Sequence, residues 1–124
     1  MIRSYALSEI NRINCNNNEP IQTAIASKTD EPKWAHSCLK WLTIQDGSTL
    51  QSCFQPNLME IYYGNKKTHL TNLKKKSGIP FENMVFFDNE YGNIQSVKTL
   101  GVKCVYTPNG MTREAWDNAL NMFD

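Results

Sequence analysis

The sequence has no C-x-x-C pair, and its four cysteines, Cys15, Cys38, Cys53 and Cys104, lie far apart. With only His36 and His69 to join them, this is neither zinc-site spacing nor a dense disulfide framework, so buried or idle thiols are expected. No run approaches the ~18 apolar residues of a membrane span. Residues 1–10 lack the apolar core of a signal peptide. A soluble, reducing compartment, intracellular or organellar rather than secreted, is the expectation, with its identity unknown. Charge of one sign is also scarce: 13 basic against 12 acidic side chains leave a net charge of +1, which gives no global attraction to nucleic acid or lipid. There is no internal repeat, and the one biased stretch is a short asparagine run at 16–18. A length of 124 residues bounds one domain, 1–124, large enough for a core but small for a complete doubly wound enzyme.

What is present concentrates in Met84-Val-Phe-Phe-Asp-Asn-Glu-Tyr-Gly-Asn-Ile94. Four apolar residues in a row read as a strand buried on both faces, the usual state in a parallel sheet. Asp88 then falls just past the carboxyl end of that strand, where open α/β sheets place their ligands. Lys66, Lys67, Lys74, Lys75 and Lys76 form a separate cationic cluster without an acid among them. Its first reading is a solvated helix face, with a phosphate-reading patch as the alternative.

Strand and helix signals alternate along the chain. A helix is expected over 5–13, followed by a break at the asparagine run. A strand over 21–26 precedes a helix that Asp30 can cap, with Pro32 in its first turn and Trp34, Cys38 and Leu42 on one face. Residues 43–56 read as a loop and 58–63 as the next strand. A helix carrying Leu70 and Leu73 then ends at Ser77-Gly78. After the Met84 strand come a helix with Ile94, Val97 and Leu100, a strand over 102–107, and a last helix that Thr112 caps. This alternation predicts a parallel sheet flanked by helices, a Rossmann-like α/β fold.

Polar residues follow three of the four strands: Ser27, Lys66 and Asp88. Parallel strands put these ends on one edge of the sheet, where a hydroxyl, an ammonium and a carboxylate can converge. Each type suits a phosphoryl site: a directional donor, a compact cation, and a hard oxygen ligand for Mg²⁺. Each also has a plain structural reading, as a helix cap or a surface lysine.

The segments Ala26-Ser-Lys-Thr29, Tyr63-Gly-Asn-Lys-Lys-Thr-His69, Ser77-Gly-Ile-Pro-Phe81 and Met84-Val-Phe-Phe-Asp88 resemble the magnesium-dependent phosphatases of the haloacid dehalogenase superfamily. Asn93-Ile94, Leu100-Gly-Val102 and Asn109-Gly-Met111 continue the likeness, which spans residues 21–124. The resemblance implies that Ser27 and Lys66 bind the transferring phosphoryl group and that Asp88 is the metal ligand, with Mg²⁺ the cofactor. Asn89 stands where the family usually has a second acid. The resemblance also implies a central first strand ending in Asp-x-Asp, whose first carboxylate attacks phosphorus and whose second is the general acid/base. No D-x-D occurs in this sequence. The expected fold is thus a truncated core without that strand, and the chain is expected to be inactive alone. A non-enzymatic structural or interaction subunit is the alternative. The gap between strands 21–26 and 84–87 is expected to be covered by a protein partner, by a second copy, or by direct pairing of those strands. Trp34, Trp41 and Trp116 are candidate contacts, with helix-to-sheet packing the first reading for each. The substrate stays unidentified.

Overall fold

A computed structural model describes residues 21–42, 47, 49 and 51–123. The helix expected over 5–13 and the asparagine-rich break after it lie outside the described residues. Among the described residues four short strands and four helices alternate: β1 (Ile25–Ser27), α1 (Pro32–Trp41), β2 (Met59–Ile61), α2 (Lys66–Ser77), β3 (Val85–Asp88), α3 (Tyr91–Lys98), β4 (Lys103–Tyr106) and α4 (Arg113–Asn121). Three single 3₁₀ turns, Gln51–Cys53, Pro56–Leu58 and Phe81–Asn83, lead into β2 and β3. The fold is the mixed α/β arrangement with parallel strands that the alternation predicts.

The sheet is divided. β1 pairs with β2 in parallel, Ile25 opposite Met59 through Ser27 opposite Ile61. β3 pairs with β4 in parallel, Val85 opposite Lys103 through Asp88 opposite Tyr106. The two pairs are separate two-stranded sheets, so β1 and β3 do not close the gap by pairing directly. A trough of about 1480 Å³ runs between them. This is why Met84, Val85 and Phe87 are half-buried where the sequence suggested a strand buried on both faces; Phe86 alone is buried among these apolar residues.

Local signals explain the helices around the trough. The Asn65 side chain accepts from the Lys67 amide at 2.8 Å, which starts α2. Gly78 ends it with φ 73°, a left-handed value that costs glycine little, and its N–H reaches the Lys74 carbonyl at 2.9 Å. Three lysines in the last turn complement the helix dipole. Leu70 and Leu73 pack from α2 into a core with Leu58, Phe86, Ile94, Val97 and Val102. Thr112 caps α4, accepting from the Ala115 amide at 3.1 Å. Ala115, Trp116 and Ala119 pack that helix on Val105 and Met111, so Trp116 serves helix-to-sheet packing.

Helix α1 departs from its sequence reading. It starts after Glu31 rather than Asp30, without a side-chain cap, and buries none of its residues. Trp34 and Trp41 are 70% and 83% exposed. The four-residue spacing defines a face but not what lies opposite it. Leu39 alone reaches a core cluster, that of Cys53 and Phe54.

Cys38 and Cys104 are free thiols. Burial pushes the Cys104 thiol above its ordinary range, and the positive charge of Lys98 opposes this weakly. The unfolded thiol therefore loses its proton first. The stability this contributes is complete below about pH 8.5 and is lost as pH rises through the higher folded value. Thermal melts at pH 8 and pH 10 should give a drop that is smaller in Cys104→Ala. An equal drop in the variant would assign the alkaline loss elsewhere, first to Tyr62, whose hydroxyl burial also pushes upward against a hydrogen bond from Asn72.

Candidate functional site

Lys66 opens α2 immediately after the Asn65 cap, so the turn leaving β2 delivers its side chain to the mouth of the trough. Its Nζ donates to the Ala26 carbonyl at 2.5 Å and to Asp88 Oδ2 at 3.0 Å. Both side chains of this ion pair are over nine-tenths buried, at 8% and 6% exposure. The ammonium also lies 5.4 Å from the centre of the Phe86 ring, a further favourable contact for a desolvated cation. An ammonium has three donors. Two are used here, and the third has no acceptor among the described residues.

Asp88 ends β3 and is fixed from three sides. Its Oδ1 accepts from the Glu90 amide at 2.8 Å, a side-chain turn that starts the loop into α3. Its Oδ2 accepts from Lys66 and, at 3.3 Å, from Asn93 Nδ2. Asn93 also donates to Glu90 Oε2 at 3.2 Å and accepts from Lys28 Nζ at 3.5 Å. Ser27 ends β1 on the same trough, lined as well by Lys66 and Asp88. Its hydroxyl has no partner among the described residues.

The three residues singled out from the sequence therefore stand at one mouth, Lys66 and Asp88 in contact and Ser27 on the facing wall. Lys28 and Asn93 were not read as site residues from the sequence, nor was His69. Asn93 could have been found from its place five residues after Asp88, in the first turn of the following helix. His69 is fully buried and bridges the elements behind the site. Its Nε2 lies 3.0 Å from both the Ser27 and Tyr62 carbonyls, and its Nδ1 lies 3.0 Å from the Asn65 carbonyl. The Tyr62 ring stacks on it at 4.2 Å. His69 thus holds the ends of β1 and β2 and the start of α2 in register.

Two donors without partners, beside a fixed carboxylate, make a pocket suited to an oxyanion. For a divalent cation the fit is incomplete. Among the described residues there is no group of three His, Cys, Asp or Glu side chains able to hold a metal. Magnesium needs near-octahedral oxygen ligation, with one or two carboxylates supplemented by water and phosphate. Asp88 supplies one carboxylate, and both its oxygens already accept hydrogen bonds.

Parallel strands flanked by helices, with hydroxyl, ammonium and carboxylate at their carboxyl ends, define a Rossmann-like α/β protein whose polar groups gather at one mouth. A family model described as acid phosphatase matches residues 4–124, and the chain belongs to that family. It is similar to human magnesium-dependent phosphatase 1, with 47% identity over 64 residues that cover 52% of this chain and 36% of the relative. It is also similar to a HAD-like hydrolase superfamily protein of Schizosaccharomyces pombe, with 33% identity over 86 residues, 68% of this chain and 49% of that protein. The chain thus spans between about a third and a half of the curated relatives it matches. The likeness to the haloacid dehalogenase phosphatases drawn from the sequence motifs holds. No described helix is long and apolar enough to cross a membrane.

Proposed function

We propose that this chain carries the phosphoryl-binding half of a magnesium-dependent phosphatase site and does not turn over phosphate monoesters alone. Ser27 and Lys66 bind the phosphoryl oxygens, and Asp88 is the metal-side carboxylate. The observation that carries the reading is the buried Lys66–Asp88 pair with an unused lysine donor and the Ser27 hydroxyl beside it. Magnesium is the cofactor by resemblance to the relative named for it. Bound at Asp88, it would neutralise phosphoryl charge.

Inactivity follows from the chemistry of transfer. Ammonium and hydroxyl donors stabilise developing charge, but an aspartyl-phosphate route needs an attacking carboxylate with a free oxygen. Among the described residues the trough offers Asp88, whose oxygens are engaged with Lys66, Asn93 and the Glu90 amide, and Glu90 on its exposed rim. Purified chain with Mg²⁺ should give no hydrolysis of an aryl phosphate above buffer. It should bind orthovanadate, a phosphate mimic, with Ser27→Ala weakening that binding about tenfold, the worth of one charge-assisted hydrogen bond. Turnover abolished by Asp88→Asn would sink the inactivity, and vanadate binding unaffected by Ser27→Ala would remove Ser27 from the site.

A second reading, an interaction subunit of a protein assembly, is favoured by the open trough and the two solvent-facing tryptophans on α1. The two readings are compatible if a partner completes the site.

A further inference from the structure

We infer that His69 is a positioning residue of the phosphoryl-binding mouth: by donating from Nε2 to the Ser27 carbonyl it sets where the Ser27 hydroxyl stands relative to the Lys66 ammonium. His69 touches no phosphoryl oxygen in this role. It acts through Ser27, and the role rests on the reading of Ser27 and Lys66 as the phosphoryl-binding pair.

Ser27 is the last residue of β1, the point where pairing with β2 stops. Its carbonyl accepts from the Tyr62 amide at 3.1 Å, on the side of β2, and lies 3.0 Å from His69 Nε2. Successive residues of a strand turn their carbonyls to opposite sides. The Ala26 carbonyl therefore faces the other way, where it accepts from Lys66 Nζ. Lys66 and His69 are three residues apart, neighbours on one face of α2. The first turn of α2 thus clasps the end of β1, with one side chain on each of two consecutive carbonyls. Those carbonyls belong to the two peptide planes that flank the Ser27 Cα. A peptide is planar, so fixing both planes fixes φ and ψ of Ser27 and the direction of its Cα–Cβ bond. The hydroxyl is then placed to within one side-chain torsion. Lys66 holds one plane and His69 the other.

The place of the ring proton follows from its neighbours. A neutral imidazole carries one N–H. Nε2 faces two acceptors, the Ser27 and Tyr62 carbonyls, each at 3.0 Å. Nδ1 faces the Asn65 carbonyl at 3.0 Å, which already accepts from the Thr68 and His69 amides at 3.0 and 3.4 Å. The proton therefore belongs on Nε2, where it serves Ser27. Layers behind the ring keep it from turning away. Tyr62 stacks on it with 4.2 Å between centres and 15° between planes. The Tyr62 hydroxyl accepts from Asn72 at 2.9 Å and lies beside the Glu60 carboxylate, itself buried and paired with Lys76 at 2.7 Å. His69 is fully buried, so no water takes over the bond to Ser27 when the donor is removed. A buried and connected polar network of this kind is rigid, as a positioning role requires.

The test is calorimetric titration of the full chain with orthovanadate, at a temperature where circular dichroism shows every variant folded. Glutamine can place an amide N–H where Nε2–H stood, whereas asparagine, one bond shorter, reaches only the Nδ1 side. His69→Gln should bind vanadate within about threefold of wild type, and His69→Asn about tenfold more weakly, the same loss as Ser27→Ala. Ser27→Ala added to His69→Asn should cost less than about twofold more, because the hydroxyl is already misplaced. Val97→Ala, a fully buried core position away from the mouth, should bind as wild type. Equal affinity of the glutamine and asparagine variants, full additivity with Ser27→Ala, or a matching loss in Val97→Ala overturns the positioning role while the phosphoryl-binding reading stands. Wild-type chain that takes no vanadate overturns both. Ring-nitrogen NMR of histidine-labelled wild type needs no variant to fold: it should show the proton of His69 on Nε2, and a proton on Nδ1 overturns the role.

Discussion

His69→Leu is expected to lower the stability of this domain by about 2–4 kcal/mol, one of the two large single-substitution effects near the site. The wild-type ring is fully buried and lies 3.0 Å from three carbonyl oxygens that belong to three different segments. Leucine fills similar volume but donates nothing. Leucine removes the imidazole's one N–H, at about 1–3 kcal/mol for the acceptor left without it, while the Ser27 and Asn65 carbonyls keep backbone donors from Tyr62 and from Thr68 and His69. Loss of the stacked contact with Tyr62 adds about 0.5–1.5 kcal/mol. Against a total of about 5–15 kcal/mol for a domain of ordinary stability, this removes a large share of the margin. Urea titration followed by tryptophan fluorescence should show a clearly lower midpoint with an unchanged slope. A loss under about 1 kcal/mol would mean that His69 only fills space. A donor-bearing replacement, His69→Gln, should recover part of the loss, which a purely steric role does not predict.

The residues behind these effects differ in how far they could be seen in the sequence. α2 and its end were legible, because the Leu70 and Leu73 spacing and Gly78 are local signals that act within a few residues. β3 and Asp88 were legible because an apolar run ending in an acid has few other readings in an α/β chain. Lys66, Ser27 and Asp88 could be placed on one edge because parallel strands all end there. The remainder depends on long-range geometry. His69 sits 42 residues from Ser27 in sequence, and nothing local indicates that a helix histidine reaches back to that strand. Lys66 reaching the Ala26 carbonyl needs the two half-sheets to stand apart, which no propensity encodes. Helix α1 has a clear apolar spacing yet buries nothing, since a face is a local property and its partner is not. The same point separates the tryptophans. Trp116 meets a core built by β4 and its turn, while Trp34 and Trp41 meet water.

Lys66→Met tests the other large effect and ties stability to the site. The pair is almost entirely removed from solvent, with side chains 8% and 6% exposed. Removing the cation leaves the Asp88 carboxylate buried with only the Asn93 amide and the Glu90 N–H to hold it. Breaking one side of a buried pair typically costs about 3–5 kcal/mol, because the remaining charge stays desolvated without compensation. Asp88→Asn should cost less, since an amide still offers an oxygen to Lys66 and the ammonium keeps the Ala26 carbonyl. The informative protein is the double variant. With both charges gone no buried ion remains uncompensated, so Lys66→Met with Asp88→Asn should be more stable than Lys66→Met alone, with a coupling of about 1–3 kcal/mol. Simple additivity of the two losses would show that the contact does not govern either residue. Function moves in the opposite direction from stability here. The double variant regains its fold yet has neither the cation for a phosphoryl group nor the carboxylate for a metal, so vanadate binding should stay absent in it. Recovery of stability without recovery of anion binding would separate the fold's need for a neutral mouth from the site's need for a charged one.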